Sequence, residues 1–101
     1  MRLSEKEKEV IVTEAQASFG VGTKVILFGS RVNDSGKGGD IDLMIVPVQD
    51  NTPDVLYSKK IKYAVALDMQ LGEQKIDIVI KYPNDNRGII QTAFETGIAL
   101  C

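Results

Sequence analysis

Apolar and polar positions alternate along this chain with two different periods. Residues 3–18 carry Leu3, Val10, Ile11 and Ala15 among charged neighbours, a spacing that predicts one narrow apolar face on a helix. Ser4 followed three residues later by Glu7 reads as a capping box at its start, and Gly20 and Gly22 end it. The charged run Glu5–Glu9 reads as a solvated helix face. Val25–Phe28 is a short unbroken apolar run, as expected of a buried strand, and it stops at Gly29-Ser30. Asn33–Gly39 is a loop by composition. Asp40–Val46 is a second strand, limited by Pro47. Thr52-Pro53 predicts an N-cap and a first helical position, for a helix running to Leu71 and stopping at Gly72. Its apolar side is read as Leu56, Ile61, Ala64, Val65, Leu67 and Leu71. Lys75–Lys81 is a third strand, with Ile76, Ile78 and Ile80 on one face and Asp77, Val79 and Lys81 on the other. A turn cluster at Tyr82–Asn86, a helix over Gly88–Thr96 and a short apolar tail at Ile98–Leu100 complete the chain. The order is helix, strand, strand, helix, strand, helix. It predicts an α/β (α+β) fold, a small mixed β-sheet with helices packed on one side.

Two acids interrupt the second strand. Residues two apart on a strand share a face, with Cα atoms about 6.5–7 Å apart, so Asp40 and Asp42 point one way and Ile41, Leu43 and Ile45 the other. Asp77 sits between Ile76 and Ile78 in the same pattern. If the third strand lies beside the second, three carboxylates converge. Clustered carboxylates push one another toward protonation, and a hard divalent cation removes that penalty. Upstream, the Gly29-Ser30 turn follows a buried strand and offers backbone N–H groups to an anion, with Arg31 and Lys37 as further candidate phosphate contacts. Phosphate at one end and metal at the other is the layout of a two-ion phosphoryl-transfer site.

Composition narrows the chemistry. A length of 101 residues predicts one domain, 1–101, and a 44% hydrophobic content supports a packed core. Without histidine, a Ser-His-Asp triad, a Cys-His dyad and every histidine metal site are excluded. The one cysteine, Cys101, excludes an internal disulfide or a cysteine–zinc cluster. A net charge of -2 argues against nucleic acid as a partner. No apolar stretch reaches the ~18 residues of a membrane span and no leader precedes the first helix, so a soluble, cytoplasmic protein is expected. The segment Asp34–Asp42 is no EF-hand, because ligand positions fall on Gly36 and Gly38; no Gly-Lys-Ser/Thr forms a P-loop either.

Phe28-Gly29-Ser30, nine residues, then Asp40-Ile41-Asp42-Leu43 resembles the signature of the DNA polymerase beta-like nucleotidyltransferase superfamily. Gly-Ser-Arg, the later Lys75-Ile76-Asp77-Ile78-Val79 and the small size are similar to its minimal nucleotidyltransferase branch. Two positions depart from the usual pattern of that branch: Val32-Asn33-Asp34 follows Arg31, and Gly39 precedes Asp40. The resemblance implies that Asp40 and Asp42 hold two Mg2+ ions, and that Asp77 binds the catalytic ion and helps deprotonate the attacking hydroxyl. It implies that Gly29 and Ser30, with Arg31 beside them, hold the triphosphate. The reaction would move NMP, AMP if the donor is ATP, from an NTP to a hydroxyl. Minimal members of this kind pair with a small helical HEPN protein as antitoxin and toxin, so such a partner is implied, and the acceptor would be a hydroxyl on it. The alternative from another class is a binding module that neutralises its partner by complex formation alone. The tail ending in Cys101 leaves pairing with another copy of the chain open.

Overall fold

In a computed structural model, residues 3–29, 40–49, 51–72 and 74–101 are described. Helix α1 runs Glu5–Phe19, strand β1 Lys24–Phe28, β2 Ile41–Val46, helix α2 Pro53–Leu71, β3 Ile76–Ile80, α3 Gly88–Thr96 and β4 Ile98–Ala99. The strands form one mixed sheet in the order β3-β2-β1-β4. β2 and β3 are parallel, as a strand–helix–strand crossover through α2 requires, and β1 is antiparallel to both β2 and β4.

The caps form as their residues dictate. Ser4 Oγ accepts from the Glu7 N–H at 3.1 Å while Glu7 Oε1 accepts from the Ser4 N–H at 2.9 Å, so two otherwise orphaned donors at the start of α1 are satisfied reciprocally. Thr52 Oγ1 accepts from the Val55 N–H at 3.4 Å, and Pro53 opens α2, where its missing N–H costs nothing. Both long helices end on glycine, and the Gly20 and Gly72 N–H groups donate back to Gln16 and Asp68 carbonyls.

The sheet has a core on each face. On one side α1 and α2 contribute Ile11, Ala15, Phe19, Leu56, Tyr63 and Leu67 against Val25, Leu27, Ile41, Leu43, Ile45, Ile78 and Ile80. Tyr63 is fully buried there, its hydroxyl donating to the Ile11 carbonyl at 2.9 Å and its ring meeting Phe19 edge-on at 5.7 Å. On the opposite face α3 seats Ile90 and Ala93 on Ile26, Phe28 and Met44. The two long helices thus share one side of the sheet as expected, whereas α3 covers part of the other. Met44 is the reason: it falls on the Asp42 face of β2 and needs an apolar cover.

The buried side of α2 also differs from the sequence reading. Leu56, Tyr63 and Leu67 face the core, while Ile61 and Val65 are about half exposed and Ala64 is exposed. The helix carries apolar residues on more than one side, and the side holding the tyrosine ring is the one that packs. Among the described residues no helix is long and apolar enough to cross a membrane.

Candidate active site at the acid end of the sheet

The acids of β2 and β3 meet through strand register. In the parallel pair Asp42 stands beside Asp77, flanked by Ile41 beside Ile76 and Leu43 beside Ile78. Alternation sends the isoleucines and Leu43 into the two-helix core and both aspartates to the α3 face. α3 covers Met44, one step further along that face, and leaves Asp42 half-buried and Asp77 exposed. Antiparallel pairing with β1 sets Phe28 opposite Asp42, so Gly29 leaves β1 directly above the same carboxylate.

Gly29 is required there on two counts. Its φ is +78°, a conformation that L side chains rarely adopt. A Cβ at this position would also overlap Asp42 Oδ2 and lie 3.1 Å from its Cγ. The glycine of the Gly-Ser turn therefore makes room for a carboxylate in addition to shaping the backbone.

The site is electrostatically loaded. The Asp42 carboxyl is pushed above the ordinary aspartate range by its partial burial first, then by the adjacent Asp77 charge and by Asp40; a proton shared with Asp77 favours the neutral form further. Lys75 opposes these effects. Asp40 pairs with Lys75, Nζ to Oδ2 at 3.4 Å. The structure thus brings Asp42 and Asp77 into contact and sets Asp40 one step away on the same face, turned to a lysine. Among the described residues no group of three acids closes on a common point as a ready-made metal cage. The donor set nevertheless suits a hard cation: oxygen ligands only, with two carboxylates side by side on adjacent strands. Asp40 would join them by turning away from Lys75.

Of the residues read as phosphate-binding, Gly29 is adjacent to the acids, while Ser30, Arg31 and Lys37 lie outside the described residues. Lys75 is the member that the sequence reading passed over as a site residue. Its signal was present: it precedes Asp77 by two, hence shares its face, and parallel register then sets it beside Asp40.

Solved structures share this architecture. A chain from tri-AMPylated Shewanella oneidensis HEPN toxin in complex with MNT antitoxin superposes with a TM-score of 0.66 and 18% identity, covering 98% of this chain and 72% of that one. A chain from a mutant of the toxin–antitoxin pair MntA-HpeT, carrying two Asp-to-Glu changes, gives a TM-score of 0.60 and 17% identity, covering 98% and 73%. At these identities the likeness is one of fold. No curated protein sequence matches the chain. The family described as Polymerase beta, Nucleotidyltransferase matches residues 9–101, nearly the whole sequence, and the chain belongs to that family.

Proposed function

We propose that this chain is a Mg2+-dependent nucleotidyltransferase that moves AMP from ATP to a hydroxyl on a helical HEPN-type partner, thereby neutralising it as an antitoxin does. The observation that carries the reading is the in-register pair Asp42 and Asp77, open to solvent beneath Gly29 on a sheet face that α3 covers only in part. Family membership supports nucleotidyl transfer, and the similar folds found in complexes named for an AMPylated HEPN toxin and its MNT antitoxin support the choice of nucleotide and acceptor.

Asp40, Asp42 and Asp77 would hold the ions. Bound Mg2+ would neutralise the carboxylates and stabilise the charge that builds on the phosphate oxygens. Asp77, the most exposed of the three by position, would orient the acceptor hydroxyl and take up its proton. Gly29 and Ser30 would offer backbone N–H groups to the triphosphate, with Arg31 adding charge. The acceptor oxygen then bonds to the α-phosphorus, the bond to the bridging oxygen breaks, and pyrophosphate leaves.

The test is transfer of label from α-labelled ATP to a HEPN-type protein in the presence of Mg2+. Label should appear on the partner and disappear with Asp42→Asn or chelator. Absence of transfer, or undiminished transfer by Asp42→Asn, defeats the reading. The pairing of Asp40 with Lys75 favours one alternative, a module that neutralises by complex formation alone. That alternative predicts tight partner binding unaffected by Asp40→Ala and no thermal shift with ATP and Mg2+.

A further inference from the structure

Among the described residues, Lys75 brings a positive charge into the acid face. Lys75 stands two residues before Asp77, so both side chains leave the edge strand on the same side. The Ile41 N–H donates to the Lys75 carbonyl at 3.0 Å, which continues the parallel register one step back and sets Asp40 beside Lys75. The result is a two-by-two array across the strands: Asp40 beside Lys75, then Asp42 beside Asp77. The Lys75 ammonium lies 3.4 Å from Asp40 Oδ2, and its charge reaches Asp42 as well. The Lys75 side chain is 72% exposed and that of Asp40 43%. An ammonium this exposed is not held over the acids by packing and can leave them for water.

We propose that Lys75 is a resident counter-cation of the carboxylate face, which an incoming divalent ion must displace from Asp40, so that the lysine sets how tightly the face takes metal before nucleotide arrives. This rests on the metal-dependent reading above. Charge arithmetic gives the lysine its consequence. Among the described residues, Asp40, Asp42 and Asp77 bring three carboxylates to this face and Lys75 brings an ammonium. The lysine thereby offsets the mutual repulsion of the acids when neither metal nor substrate is bound.

The test is calorimetric titration with Mn2+, without nucleotide, of the wild type, Lys75→Gln, Lys75→Arg and Asp42→Asn. An exposed ion pair is a weak competitor, so Lys75→Gln should bind Mn2+ about 1.5- to fivefold more tightly at low salt, and the gain should shrink as salt screens the pair. Lys75→Arg, which keeps the charge, should stay within about twofold of wild type. Asp42-dependent binding by the wild type, with Lys75→Gln no tighter, overturns the role given to Lys75 and leaves the metal reading standing. No Mn2+ binding by wild type or variant removes the metal reading and the inference with it.

Discussion

Gly29→Ala tests how the turn and the carboxylate depend on each other. The substitution has a backbone cost and a contact cost. With φ at +78°, an alanine is forced into a left-handed conformation at about 1–2 kcal/mol, of which roughly 0.4–1 is returned because alanine has less freedom than glycine to lose from the unfolded chain. The new Cβ overlaps Asp42 Oδ2 and sits 3.1 Å from Cγ, yet 3.4 Å from Asp42 Cβ, an ordinary contact. Strand β2 can therefore stay in place while the carboxylate turns away from its preferred rotamer, at about 0.5–1.5 kcal/mol. The sum is about 0.5–3 kcal/mol, which lowers the urea midpoint by on the order of 1 M and the melting temperature by several degrees.

A double-mutant cycle separates the two costs. In an Asp42→Ala background there is no carboxylate to displace, so Gly29→Ala should show the backbone cost alone. The two substitutions should be non-additive by at least about 0.5 kcal/mol. Urea unfolding of the four proteins gives the cycle, and Mn2+ titration of Gly29→Ala should show weakened binding because Asp42 no longer points as the site needs. Strict additivity, or a Gly29→Ala protein with wild-type stability and metal affinity, would refute the argument that Gly29 is there to accommodate Asp42.

Three further outcomes follow from the packing and the charges. Gly97 has an ordinary φ of -85°, but a Cβ there would overlap the Ala93 carbonyl and approach Ile26 Cγ2 to 2.5 Å and the Leu27 carbonyl to 2.9 Å; Gly97→Ala should therefore cost about 1–3 kcal/mol in thermal unfolding through steric pressure alone. Tyr63→Phe removes the hydroxyl that donates to the Ile11 carbonyl at 2.9 Å and should cost about 1 kcal/mol in urea, whereas Tyr57→Phe, at a half-exposed position, should stay within about 0.5. Without metal, Asp42→Asn should stabilise the fold at pH 7 by ~0.2–1 kcal/mol, the size of an exposed charge pair with the opposite sign, and so raise the melting temperature. A carboxyl whose folded pKa lies above its unfolded value favours folding below the unfolded pKa and loses that contribution as pH rises through the folded one, so the advantage of the variant should vanish in acid, as melting curves in chelator from pH 3 to 7 can show.

Local chemistry was legible in the sequence where it is decided by neighbours in the chain. Ser4 with Glu7, Thr52 with Pro53, and Gly20 and Gly72 mark helix ends because their partners lie within four residues. The split of β2 into an Ile41–Leu43–Ile45 face and an acid face followed from alternation. Two features were less accessible. The packing side of α2 was only partly legible: Leu56, Leu67 and Leu71 do pack, but Ile61 and Val65 are as apolar, and only the partner surface of α1, where Tyr63 finds the Ile11 carbonyl, decides between them. The contact of Asp42 with Asp77 depends on strand order and register across a 19-residue helix, which no local pattern encodes. The cover on the acid face was half-legible: Met44 shares that face by alternation, and a fully buried methionine demands an apolar neighbour, but that α3 supplies it is a long-range outcome.

That cover decides where the core ends and the site begins. Asp42 and Met44 are two residues apart on one face of one strand, yet Met44 is fully buried and Asp42 keeps access to water. The boundary is the edge of α3, which packs Ile90 and Ala93 onto Met44, Phe28 and Ile26 and then turns into β4 at Gly97, pressed against Ile26 and Leu27. The close approach that Gly97 permits therefore seats the helix that excludes water from Met44, while the adjoining strip remains open to water. Were α3 extended over that strip, Asp42 and Asp77 would be buried as a like-charged pair, which proteins avoid by protonation. Left open, the same pair sits beneath Gly29 and beside Lys75, where water and the lysine charge offset its repulsion.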